Sequence, residues 1–127
     1  MGRAIVILVV LLLLGLTFES SREVMVETAR PALVPAYRWM TLHEMNQIVR
    51  DLESHQESRG PLPAGDREFD AWLDRRYPQP ASREDAWGTR YRLQVTADGF
   101  RVVSAGPDGQ FGTDADLTRE GSRLVRR

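Results

Sequence analysis

Residues 4–18 read AIVILVVLLLLGLTF, fifteen positions without a charge. A run like this has to be buried, in lipid or in protein. As a helix it spans roughly 22 Å at ~1.5 Å per residue, short of a ~30 Å hydrocarbon core. Continuing the helix through residues 1–3 narrows the gap, because Arg3 can snorkel to the headgroups. The sequence therefore predicts a membrane anchor over residues 1–18, with a cytoplasmic N-terminus and the rest of the chain exported. The competing reading is a cleaved signal peptide, whose length and basic start fit. Its cleavage site does not: Phe18-Glu19-Ser20 is bulky where a small residue is needed, and no A-x-A occurs.

Setting that run aside changes the rest of the composition. The chain of 127 residues is 42% hydrophobic, but 14 of those residues lie in the first 18, leaving about 36% in the other 109. Leu, Ile, Val and Phe are only 20 of those 109, near the lower edge for a self-sufficient core. Trp39, Trp72, Trp87, Tyr37, Tyr77 and Tyr91 partly compensate through their large buried area. A lightly filled domain of this size often uses an extra staple, such as a metal. With no Cys the staple is not a disulfide, and Cys-ligated zinc, iron–sulfur clusters and a cysteine nucleophile are excluded. All 17 basic residues are Arg, which excludes a lysine Schiff base and a Walker-type phosphate loop. The formal charge of −1 gives no reason to expect nucleic-acid binding.

Residues 19–36 form a polar, helix-compatible stem, with Glu19/Arg22 and Glu27/Arg30 as i,i+3 pairs and with Pro31 and Pro35 expected to break or kink it. Residues 37–59 form the clearest helix. Trp39, Leu42, Met45, Ile48, Val49 and Leu52 recur at three- and four-residue steps, and Gly60, Pro61 and Pro63 end the pattern. Asp66 is placed to cap a shorter helix with Phe69, Trp72 and Leu73 on its apolar face. The period then drops to two. Tyr91, Leu93 and Val95 alternate with Arg90, Arg92 and Gln94, Asp98-Gly99 signals a hairpin turn, and Phe100, Val102 and Ser104 return. From Gly106 the chain is rich in Gly and Asp without periodicity. It ends in a basic tail, Arg123, Arg126 and Arg127, expected to be solvated or frayed. The domains are thus an anchor at 1–18, a stem at 19–36 and an exported α+β domain at 37–127.

No catalytic constellation stands out. His43-Glu44 opens like a zinc-protease motif, but Gln47 occupies the place of the second His, and His55 is 12 residues from His43. Ser104-Ala105-Gly106 lacks the remainder of a nucleophile elbow. The sequence does not read as an enzyme. In the terminal loop Asp108, Asp114 and Asp116 offer three carboxylates within nine residues, and Gly106, Gly109 and Gly112 let the backbone aim carbonyls inward. Calcium takes six to eight hard oxygens of this kind. The same residues are also ordinary turn formers, and the residues by themselves leave both readings open.

Three segments in order carry a family resemblance: Asp85-Ala86-Trp87-Gly88-Thr89-Arg90-Tyr91, then Ser104-Ala105-Gly106-Pro107-Asp108-Gly109, then Gly112-Thr113-Asp114-Ala115-Asp116-Leu117. Together with the apolar stem and the helix ending at Arg59-Gly60-Pro61, they resemble the major pseudopilin of type II secretion systems, within the type IV pilin-like superfamily. The resemblance covers roughly residues 37–117. It implies a pilin-like fold, with a stem and long helix on a small antiparallel sheet followed by a calcium loop. It also implies a non-enzymatic subunit of a periplasmic filament, anchored in the bacterial inner membrane, whose partners are other pseudopilins or secretion-machinery subunits. Asp108 and Asp116 match the family's metal-binding acids, and Asp114 stands one residue before the usual position of a third, which Ala115 occupies. The chain departs from the pattern at Ala86, where the family has Pro, and in the stem. There Gly2 is followed by Arg3-Ala4-Ile5, and no acidic residue occurs before Glu19. The overall layout favours the filament subunit. The departure in the stem favours the alternative, a stand-alone membrane-anchored calcium-binding module that does not polymerise.

Overall fold

A computed structural model of the chain describes the backbone of residues 2–17 and 19–124, and the side chains of residues 33–124 together with 5–11 and 13. The chain divides into two units, Met1–Val34 and Pro35–Arg127. The first contains α1 (Gly2–Thr17) and the opening of α2 (Glu19–Ser58). The 16 residues of α1 rise about 24 Å, and no helix among the described residues is long and apolar enough to cross a membrane. The expected contacts of Arg3, Glu19/Arg22 and Glu27/Arg30, the side chain of Phe18, and Arg126 and Arg127 lie outside the described residues.

Pro31 and Pro35 do not interrupt the helix, since α2 runs through both. Each proline removes one N–H donor, and they stand four apart. The carbonyl that an amide at 35 would have bonded is therefore that of Pro31 itself, and the flanking bonds carry the turn.

The second unit is α+β. α2 from Pro35 onward and α3 (Gly65–Arg76) pack on a three-stranded antiparallel meander of β1 (Arg92–Val95), β2 (Gly99–Ser104) and β3 (Leu117–Ser122). The core joins Met45, Ile48, Val49 and Leu52 of α2 to Phe69, Trp72 and Leu73 of α3, and to Tyr91, Leu93, Phe100, Val102 and Leu117 of the sheet. Fully burying one such side chain contributes about 1.5–3 kcal/mol. The expected stripe on α2 holds from Leu42, but Trp39 is 68% exposed and stacks on His43 instead. The buried stripe begins at Thr41 and ends at Gln56, two polar residues that each have a partner. The Gln56 amide donates to the Ser122 carbonyl (2.9 Å) and accepts from the Leu124 amide (2.9 Å), tying the chain's end to α2. Arg123, expected in a frayed tail, donates to the Thr96 carbonyl.

Three local expectations change. Asp66 is not the cap of α3. Ala64 is the N-cap, and its amide donates to the Glu68 carboxylate (2.8 Å), so an acid in the first turn satisfies the helix start. Asp98-Gly99 is not the central pair of the hairpin. The Thr96 amide donates to the Gly99 carbonyl, so Ala97 and Asp98 turn the chain and Gly99 opens β2. Gly99 serves the sheet rather than the turn, since a Cβ there would sit 2.6 Å from the Gly121 carbonyl oxygen. Finally, the stretch after Gly106 is not all loop, because Leu117–Ser122 forms β3. Its register places Phe100 opposite Gly121, and the Phe100 ring fills the space a side chain at 121 would take. One inward Leu and one Gly give a weak alternation signal, and the pairing partner supplies the rest.

Candidate functional site

The loop between β2 and β3 contains the three candidate metal ligands, and its base is built from the Asp85 segment. Asp85 is buried. Its Oδ1 accepts from the amides of Trp87 (3.1 Å) and Thr89 (2.9 Å), and its Oδ2 accepts from the Ser104 hydroxyl (2.7 Å). Ser104 Oγ accepts in turn from the Gly106 amide (3.1 Å). A carboxylate that accepts from the amides two and four positions ahead of it folds its own turn. Gly88 at φ +87° completes that turn, with its amide on the Asp85 carbonyl. The Asp-x-Trp-Gly and Ser-x-Gly segments, 19 residues apart, therefore meet at one carboxylate.

Two further contacts tie this base to α2. Thr41 Oγ1 accepts from the Ala86 amide (3.1 Å), and the Tyr91 hydroxyl donates to Glu44 (2.8 Å). Burial raises the Glu44 carboxyl above its ordinary value, partly offset by the Tyr91 hydrogen bond. Burial and the neighbouring Glu44 carboxylate push the Tyr91 phenol up. Tyr91 is buried as expected, and Trp87 lies partly buried against the core with its ring edge-on to Tyr37.

At the neck of the loop, Gly106 at φ +70° approaches so closely that a Cβ would sit 2.1 Å from the Ala115 carbonyl oxygen. A 3-10 turn, Gly106–Asp108, then leads to Gly109 in the left-handed region. Asp108 accepts from the Thr113 hydroxyl (2.6 Å) and the Gln110 amide (3.0 Å), and these bonds hold its carboxyl below the ordinary value. Asp116 Oδ2 accepts from the Gly112 amide (2.8 Å), while its Oδ1 is buried with no hydrogen-bond partner. Asp114 is exposed. Among the described residues, no group of three or more His, Cys, Asp or Glu side chains is placed to hold a metal ion. Asp108 and Asp116 turn instead to the loop's own amides and hydroxyl.

The donor chemistry nonetheless suits a hard cation. The three residues offer only carboxylate oxygens, and a buried anionic oxygen without a partner is what a cation would satisfy. The remaining candidates have structural settings. His43 packs on Trp39, His55 lies edge-on to Trp72, and the Ser104 hydroxyl is committed to Asp85. Sequence reasoning assigned no such role to Asp85, Thr41, Glu44 or Gln56. Only Asp85 carried a local signal, an Asp two residues before a Trp-Gly-Thr turn. No protein-family model matches the chain, and neither a curated protein nor a solved structure shows significant similarity to it.

Proposed function

We propose that the chain is a pseudopilin-like structural subunit of a type II secretion system. In this reading it is anchored once in the bacterial inner membrane through its N-terminal stem, with its N-terminus cytoplasmic and its calcium-stabilised C-terminal domain in the periplasm. Its partners are other pseudopilins or secretion-machinery subunits, and it performs no catalysis. The observation that carries the reading is the Asp85–Ser104 bond (2.7 Å). The two segments that resemble the family lie far apart in sequence, yet they meet at the base of the acidic loop, on a meander covered by a long helix. Asp108, Asp114 and Asp116 would supply carboxylate oxygens to calcium. The ion would fix the loop on the sheet and add stability that a lightly filled core lacks.

A second reading rests on a specific feature of the stem. Its first acidic residue is Glu19, whereas an acid inside the apolar stem would be costly and retained for assembly. The stand-alone anchored module therefore stays in competition. Crosslinking the full chain in bacterial membranes separates the two. The subunit reading expects a ladder of multimers linked through the stem, and a monomer alone would overturn it in favour of the module. Melting curves with chelator and then with added calcium test the ion independently. A midpoint that rises with calcium is expected, and an unchanged midpoint would remove calcium from either reading.

A further inference from the structure

Between them, α2 and α3 and the turn after α2 carry a polar groove of about 480 Å³ lined by Asp51, Ser54, His55, Arg59, Trp72, Arg75 and Arg76. The charges in it do not cancel. Asp51 is occupied by Arg76 (3.2 Å) and by the Tyr77 hydroxyl. Glu68, beyond Arg75 in an adjoining pocket, accepts from the Ala64 amide. Arg59 and Arg75 make no ion pair among the described residues, so two guanidinium groups face the groove uncompensated. The Ser58 hydroxyl donates to the Ser54 carbonyl, and both residues line the groove. His55 stands edge-on to the buried Trp72 ring (6.2 Å between centroids) and brings a further N–H.

We propose that this groove binds a tetrahedral oxyanion, a phosphate group held between Arg59 and Arg75. The donors come from two helices and from side chains of three kinds, so they approach from several directions. A planar carboxylate is satisfied by one guanidinium fork, whereas a tetrahedral anion uses donors spread around it. The proposal stands apart from the secretion reading, since no residue of the acidic loop or of the stem takes part.

The test is a titration of the full-length protein, in a non-ionic detergent at fixed ionic strength, followed by NMR of the arginine Nε–H and tryptophan indole signals. Inorganic phosphate is expected to give a saturable shift at Arg59, Arg75 and Trp72. The double variant Arg59→Gln/Arg75→Gln should weaken binding by about tenfold or more, whereas Arg67→Gln on the exposed side of α3 should not. If the double variant loses its dispersed spectrum, Arg75→Glu alone makes the same comparison. Phenyl phosphate distinguishes the source. Binding comparable to inorganic phosphate assigns a phosphate group on a larger molecule, and binding of inorganic phosphate alone assigns the free ion. Each outcome supports the site. A response no larger than that to matched sodium chloride, acetate binding as tightly as phosphate, or an unaffected double variant would overturn it.

Discussion

Asp85 and the aspartates of the terminal loop are the same residue in opposite circumstances. Asp85 is buried and accepts from two amides and a hydroxyl, with both of its oxygens engaged. A few residues from that base, Asp108 has both oxygens engaged by loop partners but is exposed, Asp114 is exposed, and Asp116 has one buried oxygen with no partner. A carboxylate whose lone pairs are already used by the chain is a structural part. One with capacity left over is available to a ligand. The base of the loop is therefore fixed by the fold, while the tip is where the proposed ion would act. The comparison makes predictions about which substitutions should matter with no calcium present.

The largest effect is expected at the neck. Gly106→Ala would force a Cβ to within 2.1 Å of the Ala115 carbonyl oxygen while holding φ at +70°. Gly112 has φ +83° with open space around it, so Gly112→Ala carries only the left-handed backbone cost of about 1 kcal/mol. Denaturant unfolding of the full chain in chelator should show Gly106→Ala losing about 3 kcal/mol or more. Similar losses for the two variants would mean that the neck is not closed as described. Next comes Asp85→Ala, which strands the amides of Trp87 and Thr89 and frees the Ser104 hydroxyl. We expect a loss of about 2–4 kcal/mol, readable in the same unfolding curves, and a neutral result would break the distinction between base and tip.

How much of this was legible in the sequence depends on whether the information is local. The apolar faces of α2 and α3 and the Gly60-Pro61 stop were readable because periodicity and backbone chemistry are written within a few residues. β3 was not readable, because Leu117–Ser122 becomes a strand by pairing with β2 and by sliding Gly121 under Phe100. Trp39 satisfies the helical period, yet the packed face of α2 runs through Tyr37 and Thr41 and leaves Trp39 exposed, and periodicity does not report which of two neighbouring faces a partner covers. Gln56 reads as polar and so as exposed, but the strand end it clamps is 66 residues away. In the candidate site, Asp108, Asp114 and Asp116 announce themselves by composition. Asp85 opens the first of the three family-like segments, but its role emerged only when Ser104 was brought to it.

A smaller effect should appear in the pH dependence of the link between the base and α2. The Glu44 carboxyl is raised by burial, so between its unfolded value of 4.5 and its higher folded value the folded chain holds more of this proton than the unfolded chain. This contribution is complete below pH 4.5 and is lost as pH rises through the folded value. Tyr91 acts in the same direction at high pH. Its phenol is raised from 10.0, so stability should fall as the unfolded phenol ionises above that value. Glu44→Gln should flatten the acidic window. Tyr91→Phe should remove the alkaline fall and, by deleting the bond that lowers Glu44, shift the acidic window upward. Unfolding free energies measured from pH 4 to 11 on the parent and both variants would show this, and parallel curves would mean that neither group is held as described.

The smallest effect is the most discriminating. Asp114 is exposed, and surface substitutions of that kind usually shift stability by less than about 0.5 kcal/mol. In chelator, Asp114→Ala should therefore unfold with the parent, in contrast to Asp85→Ala. If calcium binds the tip, the same variant should lose much of the rise in melting temperature that calcium gives the parent, because one carboxylate ligand is missing. Asp116→Ala should abolish that rise, since it removes a buried oxygen that lacks a partner. The informative quantity is the difference between the calcium and chelator midpoints for each variant. A large loss in chelator for Asp114→Ala would make it a structural part like Asp85. An undiminished calcium shift in Asp116→Ala would place the ion elsewhere.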